Sequence, residues 1–477
     1  MKFVFTKFLY VIILLTIHSI GVGGVCFGQS TGKTVFVSST EGDDGNSGES
    51  ADTPLFSIKK ALTVGDTILL KANDVFYERV ELRKGKISSY GKGRKPVISG
   101  YKRIAKANWG AIDEHIWRIC LTNDNYLGYD TDGSSLQNNV GCLHEYDKDL
   151  IHGRKLKHLS DLAEDWDIWQ TEHHKKGEAT DCDFDTLYLY LNDNPNFLRI
   201  EFSVGGIALR MSNAIIENVR IEGFGFGISA GRHSIIRKCE IDAIGGQIQL
   251  NNSQYVCYGN GIEFWIRNGL EDCLVEECKI SRCYDCACTI QGREPYPPSN
   301  IRFRNNVIFD CCQAWEDFFT TDNPDAIFKD CIFENNVIVN SGNTTGFGYT
   351  KGRTKCCHVL ENNYLGNKGM IFRNNTFVGG NYYCAAKYNG AFKSGVWEGN
   401  TCYIKRGEWL IRCINKGDEI IRIPVEKGNF RTLKAATDEA IRRYREMTGD
   451  ETTRFVIKSD GNINKRIKKL KKQYSKR

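Results

Sequence analysis

From residue 214 onward, apolar and polar positions alternate in short bursts, and the bursts recur at intervals of one to two dozen residues or more. The clearest copies are IRFRNNVIFDCC from Ile301, CIFENNVIVNSG from Cys331 and MIFRNNTFVGGN from Met370. Weaker copies start at Ala214, Ser234, Cys273 and Gly395. Set in register, Ile216, Ile236, Val275, Phe303, Phe333, Phe372 and Trp397 form one apolar column. Three residues later stand Val219, Cys239, Cys278, Asn306, Asn336, Asn375 and Asn400, and two further on Ile221, Ile241, Ile280, Ile308, Ile338, Phe377 and Cys402. The residues between the columns are largely polar, charged or glycine. The pattern is a period-two strand, a turn marked by asparagine, and a second strand.

Successive copies lie 20, 39, 28, 30, 39 and 25 residues apart. Twenty to thirty residues suit one coil of an all-β solenoid, the right-handed, single-stranded parallel β-helix. The two long intervals suit coils with loops, at 247–258 and 353–368. Asparagines stacked on successive turns would hydrogen-bond the backbone along the axis. A leucine-rich repeat is excluded because its leucine pattern and its helix per repeat are missing. Toward the N-terminus, KTVFVS (from Lys33) reads as a strand, EGDDGNSGES as a turn, FSIKKAL (from Phe56) as a cap helix, and GDTILL and KPVISG as the first coil strands.

In that order these pieces resemble the N-terminal module of exported pectate-lyase-like β-helix proteins, among them the chondroitinase B-like lyases. The resemblance covers residues 34–100 well and the repeats more loosely. It implies the same fold and favours lyase chemistry, but no catalytic residue of that family falls on a matching position here. Residues 29–105 are expected to form the N-terminal cap and first coils, 106–200 a non-repeating insertion packed beside the solenoid, and 201–423 the repeats. Residues 424–477 are expected to form a C-terminal helical cap and a basic tail, the piece YREMTGDE resembling a segment found after the last coil in that family.

Residues 1–28 read as an export signal: Lys2 and Lys7, an apolar run at 9–17, and small residues at Cys26 and Gly28 before a cleavage point at Gln29. The chain is expected to be secreted or periplasmic, monomeric and without a membrane span. Its formal charge of +6 falls to +4 without the two signal lysines. The last 13 residues carry eight positive charges and no acid, so the body is near −4 and gives no case for a nucleic-acid partner. The tail could touch an anionic surface or polymer, but a run of this kind reads more readily as a solvated, disordered tail. Eighteen cysteines remain after cleavage, including a CxxC (Cys283, Cys286) and the vicinal pairs Cys311–Cys312 and Cys356–Cys357. Their positions in the apolar columns favour core packing over zinc ligation. Cys283 and Cys311 stack on neighbouring coils at a separation that would allow a disulfide.

Candidate chemistry lies on the second strand of each coil. Registering NGIEFWIRN, CACTIQGRE, AWEDFFTTD, GFGYTKGRT and CAAKYNGAF aligns Glu263, Cys288, Asp317, Gly348 and Ala386, with Arg267, Arg293, Lys351, Arg353 and Lys387 further along. A register one residue off exchanges Glu316 for Asp317 as the outward acid. Two carboxylates beside a row of cations suit an anionic polysaccharide. In a hydrolase, Glu263 and Asp317, two rungs and about 9.6 Å apart, would act as acid and base. In a lyase, cations would neutralise a uronate, Lys351, Lys387 or His358 would take the C5 proton, and the acids would hold Ca²⁺. Trp315 and Trp265 are candidate sugar platforms. The plainer reading of each acid is a solvated surface group, and of each tryptophan, packing. GFGFG (223–227) opens no helix and is no dinucleotide loop, and neither a P-loop nor a serine elbow occurs. The expected function is cleavage of an acidic polysaccharide, with a non-catalytic glycan-binding or surface-structural β-helix as the alternative.

Overall fold

The computed structural model describes residues 32–104, 108–121, 126–127, 139–174, 182–251, 254–257, 259–266, 269–293, 297–320, 327–342, 346–349, 357–361, 369–380, 382–386, 395–413 and 419–474. Residues 1–28, expected from the sequence to be an export signal, lie outside them. Among the described residues no helix is long and apolar enough to cross a membrane.

Three parallel sheets wind around one core, giving the all-β, right-handed parallel β-helix. The first sheet has ten strands, from Thr34–Val37 to Val396–Glu398, and the second has ten, from Val75–Phe76 to Arg454–Lys458. The third contains Ile200–Met211, Phe224–Ala230, Ile262–Ile266, Cys286–Arg293, Gln313–Thr320, Cys357–Glu361, Tyr382–Ala386 and Trp409–Cys413 in that order. A typical coil gives one strand to each, as Ser299–Arg304, Val307–Phe309 and Gln313–Thr320 do. The apolar columns pair as their spacing implies: Val275 with Phe303, Phe333, Phe372 and Trp397 in turn, and Ile280 with Ile308, Ile338 and Phe377. All are buried.

The turn between the first two sheets accounts for the double asparagines. The first residue of each pair sits in the left-handed region, as at Asn305 (φ 58°), Asn335 (54°) and Asn374 (54°), where asparagine is tolerated better than most side chains. The second forms a ladder. Asn336 Oδ1 accepts from the Asn306 amide at 2.9 Å, while its Nδ2 donates to Phe303 O at 3.0 Å and to Asn375 Oδ1 at 3.1 Å. The same bonds recur from Cys278 through Asn306 to Asn400. In the earlier coils cysteine takes the position, and the thiols of Cys239 and Cys278 donate to Ile216 O and Ile236 O.

Two expectations are corrected here. Cys283 and Cys311 do stack, with the Cys283 amide 3.5 Å from Cys311 Sγ, but both thiols are free. Each is fully buried in the apolar core, where cysteine packs as a small hydrophobe. The basic tail is not a solvated run. Asp460–Tyr474 is a helix lying on the second sheet, because Ile463 and Ile467, four residues apart, make an apolar stripe. Ile467 reaches so close to Gly379 that a Cβ there would meet it at 2.8 Å.

The solenoid ends are closed by helices. At the N-terminal end, Ile58–Val64 buries Ile58 and Ala61. Ser57 caps it, and the Glu78 carboxylate accepts from the amides of Ile58 and Lys59, both at 2.9 Å, where the helix dipole favours an anion. Asp44, from the DGNSG turn, holds the entry by accepting from the amides of Phe56 and Ser57. At the other end, Leu433–Thr448 buries Tyr444 against Tyr383 and Phe455.

Between Tyr101–Ile104 and Ile200–Met211 the chain leaves the solenoid to build a six-stranded sheet that includes Ile116–Cys120, Asp167–His174 and Cys182–Tyr190. Its core holds Trp109, Ile168, Leu187 and Leu189. His173 and His174 sit on its strand Asp167–His174 rather than in a loop. This sheet returns to the solenoid through a parallel pairing of Arg154–Lys155 with Gly348–Tyr349. It therefore walls one side of the coils between those two points.

Candidate functional site

The third sheet carries the candidate chemistry on its outward face, and strand pairing determines which residues stand there. Ser229, Glu263, Thr289, Glu316 and Leu360 share one row, which continues through Ala385 to Arg412. The row beside it runs through Phe264, Ile290 and Asp317. Phe264 and Ile290 are core residues, so that row points inward and Asp317 points with it, at 0% exposure. The outward acid of the coil is Glu316. Asp317 is thus withdrawn from the site, and the pair facing outward is Glu263 and Glu316.

The displaced register has a local cause. In a regular strand alternate residues face the core, but Ala287 and Cys288 are both core residues, as are Ala314 and Trp315. The same corner recurs in later coils, at Tyr383 with Cys384 and Leu410 with Ile411, so the coils stay in register with one another, and what slips by one is a count of alternation carried into the strand from the second sheet. Gly348 leaves the expected column for a different reason: it pairs with the inserted sheet, and Cys357–Glu361 supplies the third-sheet strand of that coil.

Glu263 and Glu316 are separated by one strand, so their backbones lie about 9.6 Å apart from the spacing of neighbouring strands. They are 5% and 7% exposed. Asn260 orients Glu263, its Nδ2 donating to Oε2 at 2.6 Å, and the Cys286 thiol donates to Asn260 Oδ1 at 3.1 Å. Burial pushes the Cys286 thiol well above its ordinary pKa, and the carboxylates of Glu316, Asp285 and Glu263 push it the same way. Between Glu263 and Glu316 stands Thr289, fully buried, whose hydroxyl has no hydrogen-bond partner among the described residues. A buried hydroxyl of this kind is costly unless a ligand or water completes it. Two residues along from Glu263, Trp265 faces outward at 37% exposure, paired with Gln291.

Two further candidates leave the site. Trp315 is wholly buried and packs against Phe303, Phe333 and Phe372 with ring centroids 5.0 to 6.0 Å apart. Its partners in the row, Cys288 and Val359, are also core, so it is no sugar platform. His358 is interior too: Nε2 donates to Gly379 O at 2.7 Å, Phe377 lies against the ring, and burial lowers its pKa to about 4. It cannot reach a substrate on the outer face. Arg293 closes the strand Cys286–Arg293 at the register of Thr320. Arg267, Lys351, Arg353 and Lys387 lie outside the described residues.

Asn260, Cys286 and Thr289 are site residues to which the sequence reading gave no role there, and Arg412 lies further along the same row. Asn260 is legible in retrospect, because an asparagine three residues before an acid, at an Asn-Gly turn, can reach it locally. Arg412 is visible only once Trp409–Cys413 is placed on the third sheet.

Fold and site together define a parallel β-helix with a buried carboxylate pair on its third sheet. No family model matches the chain, and no curated protein sequence matches it. Among solved structures it is similar to XylC in complex with xylose, at 12% identity and a TM-score of 0.44, over 89% of this chain and 82% of that one. It is also similar to a GH136 lacto-N-biosidase from Eubacterium ramulus, at 11% identity and a TM-score of 0.27, over 80% of this chain and 65% of that one. At these values the likeness assigns no role to any residue.

Proposed function

We propose that this chain is an exported glycan-active enzyme that hydrolyses an acidic polysaccharide on the outer face of its third sheet. The observation that carries the reading is the outward row Glu263–Thr289–Glu316. Two carboxylates two rungs apart on one face suit the separation of about 6.5–9.5 Å used by inverting glycosidases. One carboxyl protonates the leaving oxygen while the other activates a water on the opposite side of the sugar ring. Glu263 is assigned as the base because the Asn260 amide fixes the position of its Oε2. Glu316 is assigned as the acid. Thr289 would bind a sugar hydroxyl between them, and Trp265 offers an apolar face to the next ring.

A lyase remains the second reading, favoured by the N-terminal module of residues 34–100. Its base would be Lys351 or Lys387, with Glu263 and Glu316 as oxygen ligands for Ca²⁺.

The test is a panel of uronic-acid polymers assayed for new reducing ends and for absorbance near 235 nm. Reducing ends without absorbance, abolished by Glu263→Gln and by Glu316→Gln, are expected. Absorbance that depends on Ca²⁺ would replace hydrolysis by elimination. Unchanged turnover in both glutamine variants would remove the site altogether.

A further inference from the structure

The two C-terminal helices treat charge in opposite ways. Leu433–Thr448 neutralises its cations along its own surface: Lys434 pairs with Asp438 at 2.6 Å, and Arg442 pairs with both Glu439 and Glu446. Asp460–Tyr474 has six cations and one acid, Asp460, which sits in the first turn and faces Lys405 at 3.7 Å. Like charges three and four residues apart destabilise a helix, so this arrangement opposes its own folding. The helix persists because of what lies beneath it. Ile463 is buried, Ile467 fills the space over Gly379, Tyr474 meets Phe309, and the Arg466 guanidinium lies 3.6 Å from the Tyr403 ring centre. Lys471 reaches Asp310 at 2.5 Å.

Those contacts engage the apolar stripe and two of the cations. Lys465, Lys468, Lys469 and Lys472 remain exposed on the side away from the sheet. They are spaced i, i+3, i+4 and i+7, which places them in one row of about 10.5 Å from the helical rise. Lys465, Lys468 and Lys469 make no ion pair with any described residue.

We propose that this lysine row is a docking ridge for an anionic polysaccharide, on the second sheet and separate from the carboxylate site of the third. Charge complementarity selects a polyanion. A helix that inserts into a membrane surface offers its apolar face to lipid, but here that face is spent on the sheet. The exposed row carries no aromatic residue on which a nucleic-acid base could stack. Lysine presents a compact point charge without the fixed fork of arginine, so recognition would follow charge density and not a particular sugar. The ridge would hold a long acidic chain against the solenoid while another part of it, or another chain, reaches the third sheet. It does not depend on the catalytic reading, and shares with it only the choice of a glycan.

The experiment measures binding of the full chain to polygalacturonate and to heparin at 50 and 300 mM NaCl, with dextran, phosphatidylglycerol vesicles and duplex DNA as competitors. Wild type is expected to bind both anionic glycans, more weakly at high salt. Replacing Lys465, Lys468 and Lys469 together by glutamine, which keeps helix propensity, should weaken binding about tenfold if each exposed pair has an ordinary surface strength. The single variant Lys468→Glu should show the same direction if the triple variant unfolds. The variant Lys434→Gln, on the neighbouring helix, should bind as wild type does, and heparin binding, read without any cleavage, separates failure of the ridge from failure of the catalytic reading. Equal binding by wild type and both variants of the ridge would overturn the proposal. So would tighter binding to the vesicles or to DNA than to either glycan.

Discussion

Replacing Asn336 by alanine tests the asparagine ladder, because every bond the side chain makes is buried and can be counted. Asn336 Oδ1 accepts from Asn306 N (2.9 Å) and Asn306 Nδ2 (3.0 Å), and Nδ2 donates to Phe303 O (3.0 Å) and Asn375 Oδ1 (3.1 Å). Two of the partners keep an alternative after substitution. Asn306 Nδ2 still donates to Val275 O, and Asn375 Oδ1 still accepts from the Asn336 backbone amide. The Asn306 amide loses its acceptor outright, which costs about 1–3 kcal/mol for a buried donor. The other three bonds add roughly 0.5–1.5 kcal/mol each, so the sum is about 2.5–7.5 kcal/mol, with the lower half expected because two partners keep an alternative. The assay is equilibrium unfolding in guanidinium chloride, read as a midpoint shift at unchanged slope. Asn336→Cys should fall between alanine and wild type, since a thiol at this position can still donate to a carbonyl of the preceding coil, as Cys278 does to Ile236. A loss under about 1 kcal/mol for Asn336→Ala would show that the ladder's bonds are exchanged for water at little cost, and would refute the reasoning.

Two further outcomes follow from the same structure. His144 lies between Glu201 (3.1 Å from Nδ1) and Asp149 (3.2 Å from Nε2), stacked on Tyr101, with Arg103 on the far side of Glu201. Burial pulls its pKa down, but the hydrogen bonds to Asp149 and Glu201 prevail and raise it to about 9. A raised pKa stabilises the fold fully below about pH 6.5 and loses that contribution as pH rises through about 9, so the melting temperature of wild type should fall between pH 7 and 10 by more than that of His144→Gln. Alkylation without reductant in denaturant, followed by intact-mass measurement, should find both Cys283 and Cys311 modified, and a bridged pair would contradict the free thiols seen here.

The solenoid was readable in the sequence because its first two sheets are regular. Val275, Phe303, Phe333, Phe372 and Trp397 are inward residues of strands three to six residues long that lead into the second sheet through a turn of constant length. That constant turn keeps the first two columns in phase within every coil although the coils differ in length, so a column in the sequence is a column in space. The double asparagine marks the turn because its two members meet two different demands, a positive φ and a buried amide. The helix Asp460–Tyr474 was less readable for a related reason. Its apolar residues are only Ile463, Ile467, Leu470 and Tyr474, and eight positive charges in the last 13 residues dominate any reading by composition. What orders it is the second sheet underneath, through Gly379, Tyr403 and Asp310.

The third sheet resisted the same treatment, and the reason is also why a site can form there. Its strands are entered through corners where two consecutive residues face the core, Ala287 with Cys288 and Ala314 with Trp315. A period-two count carried across such a corner arrives out of phase, and with phase goes the side on which each residue stands. One position separates Glu316, outward beside Thr289, from Asp317, inward beside Ile290. Of the other residues aligned with Glu263 in the sequence, Cys288 stands one position before the row, Ala386 one position after it, and Gly348 belongs to another strand. The same irregularity turns Cys286 toward the outer polar group, where its thiol meets Asn260 and is raised by Glu316 and Glu263. A strictly periodic strand would have kept Cys286 on the side of Cys288, in the core, and left Asn260 without that donor. If this account holds, deleting Ala314 to restore the simple period should return Glu316 to the inward row and expose Asp317 in its place. Glycan cleavage would then be lost in a protein whose first two sheets are unchanged. Retained cleavage in that deletion would show that the acid works from either row, and the assignment of Glu316 would fall.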